Sequence, residues 1–174
     1  MVHRFWSACT VGAYCTHGEV FLSEDEVLWW AKGGVLKGES PKRIAFLRSI
    51  LEELPGYLEE WENKWVADAE NEEFRKVMER FGLLRESISE AELDALDRKD
   101  KDCRGHYEDK VFLQYLGRHC NALLSWKLPE GHKYRVEIID VWNMTRETVL
   151  TQCSGNIEVK LPGREGMAVL AVEE

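Results

Sequence analysis

No stretch of about 18 consecutive apolar residues occurs in the 174 residues of the chain, which excludes a helical membrane span. Positive charge is in deficit. The 23 Lys+Arg against 32 Asp+Glu leave a formal net charge of −9, without the basic face that phosphate binding needs, so a nucleic-acid partner is not expected. Paired cysteines are missing too. Cys9, Cys15, Cys103, Cys120 and Cys153 are an odd set with no C-x-x-C spacing, which reads as reduced thiols in a cytoplasm rather than as a disulfide framework. The segment from Phe5 to Cys15 lacks the unbroken apolar stretch of a signal peptide, because Ser7 and Thr10 interrupt it. What the chain does have is tryptophan, seven in all, and 44% hydrophobic residues, enough to pack a core for one domain or two small ones.

The pattern changes three times along the chain. Residues 3–14 have weak helical character, and Tyr14 to Phe21 then read as a strand whose period of two puts Cys15, His17 and Glu19 on one face. Ser23 to Glu26 fit a capping box, with Val27 to Trp30 as a helical turn behind it. A glycine-rich loop, Lys32 to Gly38, leads to Ser40 as cap and Pro41 as first residue of a helix with the stripe Ile44, Leu47, Ile50, Leu51 and Leu54, which Pro55-Gly56 stops. Residues 57–104 are rich in acid, carry apolar residues at helical spacing, and end in the charge run Asp97 to Arg104, which fits a solvated helical connector. From His106 the period is two. Six strands are expected (111–116, 122–128, 134–142, 148–152, 157–161 and 167–172), divided by Pro129-Glu130-Gly131, Ser154-Gly155-Asn156 and Pro162-Gly163-Arg164. That spacing suggests an antiparallel β-sandwich.

The sharpest chemical motif is His17-Gly18-Glu19. A strand ending in these residues can aim an imidazole and a carboxylate into a cleft, with the glycine admitting a ligand closely. The alternative is that the two side chains pair with each other or with loop backbone. The same H-x-E string opens the zinc deaminase signature, but no P-C-x-x-C follows it, and no paired ligands exist for a structural zinc, so no metal is expected. Cys9 reads as a buried thiol rather than as a nucleophile. Trp29 and Trp30 could stack on the C–H face of a sugar, or Trp30 could plug the fold at that point. Glycoside hydrolysis needs two carboxylates about 5–5.5 Å apart for retention, and Glu19 has no evident partner. Trp142 with Asp140 and Asn143 could form a sugar-binding patch, but a core Trp142 and an Asp140 that caps the following turn fit a small sandwich better.

Arg4-Phe5-Trp6, Gly12 to Glu19 and Leu28 to Leu47, with the combined string from Tyr14 to Leu47 the specific part, resemble the end of the catalytic barrel in endoglucanase-type glycoside hydrolases with an apiosidase-like or cellulase-like (β/α)8 barrel. Ile138 to Thr145 and Leu161 to Val169 are similar to the small C-terminal sandwich that follows that barrel. The resemblance covers residues 1–56 and 105–174. It implies an α+β chain: the last βα unit of a (β/α)8 barrel (1–56), an acidic helical connector (57–104) and a small antiparallel β-sandwich (105–174). It further implies that His17, Glu19, Trp29, Trp30 and Lys32 contact an oligosaccharide or polysaccharide-derived substrate, with no cofactor. The acid/base after strand four and the nucleophile on strand seven would both precede Met1, so the chain alone is expected to be inactive. The alternative is a non-catalytic carbohydrate-binding or structural module bracing a barrel encoded elsewhere. The face of Ile44, Leu47 and Leu51 with Phe5 and Trp6 would then drive self-association or docking, unless the sandwich or connector covers it.

Overall fold

The computed structural model describes residues 1–16, 38–61 and 103–174, and the backbone of residues 21–22 and 28–29. Among the described residues two helices, α1 (Val2–Thr10) and α2 (Ser40–Glu52), accompany ten strands. These are β1 (Phe21–Leu22), β2 (Leu28–Trp29), β3 (Glu59–Glu60), β4 (Cys103–Tyr107), β5 (Val111–Tyr115), β6 (Leu123–Leu128), β7 (Tyr134–Asp140), β8 (Thr145–Cys153), β9 (Gly155–Lys160) and β10 (Met167–Glu173). Six of them form one sheet in the order β3-β4-β5-β10-β7-β8, β6 pairs with β9 in a separate ribbon, and β1 pairs with β2. Every pairing among the described residues is antiparallel.

The centre of the sheet explains the layers. Val111-Phe112-Leu113-Gln114-Tyr115 and Met167-Ala168-Val169-Leu170-Ala171 have no buried–exposed alternation, and all ten residues are buried. Such a run belongs to a strand covered on both faces. On one face Phe112, Leu116, Val136, Val169 and Ala171 pack against Trp126, Leu128, Ile157 and Val159 of the ribbon. On the other, Val111, Leu113, Tyr115, Ile139, Ala168 and Leu170 pack against Val2 and Trp6 of α1 and Leu47 and Ile50 of α2. The result is a sandwich-like stack of ribbon, sheet and helices. One polar tie crosses the ribbon layer: the Trp126 indole N–H donates to Gln114 Oε1 at 2.6 Å, which satisfies two groups that would be costly to bury alone.

Helix α2 is fixed at both ends. Near its start Arg43 Nε donates to the Trp142 carbonyl at 3.1 Å, and its guanidinium lies 4.9 Å from the Trp142 ring centroid. At its end Glu53 accepts from Arg146 Nη1 at 2.6 Å, and Arg146 Nε reaches Glu137 at 2.8 Å. Exposed pairs contribute about 0–1 kcal/mol each, so apolar burial holds the helix and the charges set its place.

Several expectations change in the structure. Leu28–Trp29 is not part of a helical turn but a strand, antiparallel to Phe21–Leu22; the aromatic and aliphatic side chains that end the capping-box pattern suit a pleated pair as well as a helix. The two described ends of the expected helical connector are strands: Glu59–Glu60 pairs with Gly105–His106, and β4 begins at Cys103 inside the charge run. Trp61 follows β3 and packs on Phe112 and Trp126, with ring centroids 4.9 and 5.2 Å away. Helix α2 starts at Ser40 with Glu39 as cap residue, and no side-chain hydrogen bond caps it. At the outer edge, the β7–β8 register shifts twice between Tyr134 and Glu137, and Gln152 adopts φ 52°.

Trp6 is fully buried against the sheet. Its replacement by Ala is expected to lower stability by about 3–5 kcal/mol, read as a shift of the urea midpoint at unchanged slope. A loss under about 1 kcal/mol would mean that the helices are not seated on the sheet.

Candidate functional site

His17, Glu19, Trp30 and Lys32 lie outside the described residues, and for Trp29 the backbone alone is described, opposite Phe21. Described residues line an apolar groove and a polar pocket. The first is an apolar groove of about 530 Å³ between α1, α2 and residues 54–58, lined by Phe5, Cys9, Ile44, Leu51, Leu54 and Tyr57 among others. Tyr14 and Tyr57 stand beside it almost fully exposed, at 88% and 83%. Of the apolar face expected from sequence, Trp6 and Leu47 are buried against the sheet, while Ile44, Leu51 and Phe5 turn toward the groove. Cys9 lines it as well, and burial, then the nearby Cys15, push its thiol pKa up, the direction of an unreactive thiol.

The second is a polar pocket of about 490 Å³ where the start of α1, the start of α2 and the end of β5 meet. His3, Ser40, Tyr115, Arg118, Trp142 and Glu165 line it. Three backbone bonds run beside it, at and near the lining residue Gly117. The Gly166 N–H donates to the Gly117 carbonyl at 2.7 Å, the Val141 N–H to the Gly166 carbonyl at 2.9 Å, and the Leu116 N–H to the Met167 carbonyl at 3.0 Å. Both glycines have positive φ, 62° at Gly117 and 73° at Gly166. Each also makes room for a ring. A Cβ at Gly117 would stand 2.7 Å from His3 Cε1, and one at Gly166 would stand 2.3 Å from Trp142 Nε1, closer than real contacts allow.

Inside the pocket His3 Nδ1 and the Tyr115 hydroxyl share a hydrogen bond of 3.1 Å. Burial raises the Tyr115 pKa far above its ordinary value, with Cys103 and Glu165 adding to it, so the phenol keeps its proton. Burial also lowers the pKa of His3, helped by Arg118 and the terminal ammonium and opposed by Glu165. Asp140, two residues before Trp142 in the chain, is occupied otherwise. Its carboxylate accepts from the Trp142 and Asn143 N–H groups at 3.0 and 2.9 Å, from the Asn143 amide at 2.7 Å, and from Arg164. Burial alone would raise its pKa, but the Asn143 bonds, Arg164 and the Trp142 N–H together hold it below the usual carboxylate value. Asp140 therefore caps the turn, as expected from sequence. Trp142 is half-buried on the helix side of the sheet and reaches the pocket.

Sequence reasoning singled out Trp142 alone among the pocket residues. The others come from distant parts of the chain. The only local signals are Gly117-Arg118 and Glu165-Gly166, each a glycine beside a charge. Among the described residues no three His, Cys, Asp or Glu side chains gather as a metal set, and no helix is long and apolar enough to cross a membrane.

The His3 shift has a measurable consequence. Its folded pKa lies below the ordinary 6.5, so the unfolded chain binds the proton more readily. His3 thus contributes stability that is present above about pH 6.5 and falls as pH drops toward the folded pKa. In His3→Gln, unfolding measured between pH 7.5 and about 5 is expected to show a shallower loss; an unchanged slope would refute the burial of a neutral imidazole.

Comparison with known proteins gives two matches. Residues 100–171 match the model of a family described as a domain of unknown function (DUF5605). Over its fold the chain is similar to a crystal structure described as a "putative glycoside hydrolase from Bacteroides vulgatus ATCC 8482", with TM-score 0.60 and 25% sequence identity. A search of the curated proteins returns no match. The similarity to the crystal structure covers 95% of this chain but 30% of that one, so helices and sheet together resemble one part of a larger, glycoside hydrolase-related protein.

Proposed function

We propose that the chain serves as the C-terminal, non-catalytic part of a glycoside hydrolase. In this reading residues 1–56 are the last βα unit of a (β/α)8 barrel, residues 57–104 connect, and residues 105–174 form a sandwich that holds the unit in place. The observation that carries it is the seating of α1 and α2 on the sheet through Trp6, Leu47 and Ile50, in an arrangement similar to part of a solved protein described as a "putative glycoside hydrolase". His17, Glu19, Trp29, Trp30 and Lys32 then contact an oligosaccharide at the barrel mouth. Indole rings cover the apolar face of a sugar while carboxylate, imidazole and ammonium bond its hydroxyls. The catalytic carboxylate pair comes from outside these 174 residues.

A second reading is a non-catalytic module that braces a barrel formed by another polypeptide. The apolar groove beside Tyr14 and Tyr57 favours it, since such a surface suits a packing partner.

Incubated with a panel of aryl glycosides, the chain is expected to release no aglycone, while Glu19→Gln weakens oligosaccharide binding. Turnover that Glu19→Gln abolishes would overturn the non-catalytic assignment. Oligosaccharide binding unaffected by Glu19→Gln would remove Glu19 from the contact set.

A further inference from the structure

The polar pocket at the junction of α1, α2 and the sheet carries features that the proposed function does not use. The Gly117–Gly166 backbone bond ties together the two chain segments that carry the lining residues Arg118 and Glu165. The two positive-φ glycines let an imidazole and an indole lie directly on main chain. At about 490 Å³ the space is in the usual range for a small-molecule site.

The lining selects the ligand. Trp142 offers an aromatic surface, Ser40 and Tyr115 offer hydroxyls, Arg118 brings donors and Glu165 brings acceptors. Arg118 and Glu165 are exposed, opposite in charge, and joined in chain to the two glycines, so these two together carry no net charge at the opening, while the Met1 ammonium adds one positive charge. His3 adds none near neutral pH, because burial disfavours its protonation. A polyhydroxyl ring would find both donors and acceptors around one indole, which is what recognition of alternating hydroxyl and C–H surface requires.

We propose that this pocket is a saccharide-binding subsite for one neutral pyranose ring, with Trp142 as its apolar wall and Ser40, Tyr115, Arg118 and Glu165 as its hydrogen-bonding partners. It is separate in sequence from His17 to Lys32 and belongs mainly to the sheet domain. The proposal rests on the carbohydrate reading of the chain, yet it can fail while that reading stands.

The test is titration of the full chain with β-linked tetrasaccharides of glucose, xylose and mannose, followed by nitrogen–proton NMR of the indole N–H signals, with Trp142 assigned through Trp142→Phe. One of the three sugars is expected to shift the Trp142 signal in a saturable way. Arg118→Ala and Glu165→Gln, both at exposed positions, are expected to weaken that binding about tenfold each at unchanged melting temperature. Binding that leaves the Trp142 signal and both variants unaffected would place the sugar elsewhere and overturn the subsite, leaving the proposed function intact. No saturable shift with any of the three at millimolar concentration would also overturn it. The Glu19→Gln binding assay then reports independently on the carbohydrate reading.

Discussion

Burial of both faces of two neighbouring strands is the constraint on which the rest of the molecule depends. Val111–Tyr115 and Met167–Ala171 carry side chains that water would penalise on either side of the sheet, at about 1.5–3 kcal/mol for each large apolar group left exposed. The ribbon of Leu123–Leu128 and Gly155–Lys160 covers one side, and the two helices cover the other. Neither cover is optional. Without the helices, Val111, Leu113, Tyr115, Ala168 and Leu170 would form an open apolar face, so the N-terminal helices and the C-terminal strands share one core despite their distance in sequence.

Much of this was legible in the residues, for identifiable reasons. Strands with regular alternation or clear turn chemistry, such as Leu123–Leu128 and Tyr134–Asp140, stand out by their period. Helix α2 is bounded by Pro41 and by Pro55-Gly56. Strand β4 was hidden because Cys103-Arg104-Gly105-His106-Tyr107 has little apolar content. Its place comes from partners, Leu113 and Phe112 on the next strand and the two residues of β3. The double cover of the sheet was also hidden, since a continuous apolar strand does not say what lies on its second face.

The polar pocket was the least legible feature, and its construction shows why. Tyr115 is placed by the sheet, His3 by a helix that docks on it, Ser40 by the start of another, and Glu165 by the turn before the last strand. Only tertiary packing brings these four together. The structural role of the glycines that admit His3 and Trp142 lies in the side chain they lack. The candidates around His17 came instead from a contiguous motif, which is what sequence reading detects best.

The two register shifts in β8 have a consequence for how the six-stranded sheet meets other chains. An outermost strand with a regular ladder offers a template on which a neighbour's strand can add. Here the bulged stretch around Leu150 and the left-handed Gln152 break the even spacing of the outward N–H and C=O groups, and the opposite border consists of only two described residues, Glu59 and Glu60, both acidic. Growth of this sheet by strand addition is therefore disfavoured along the β8 margin.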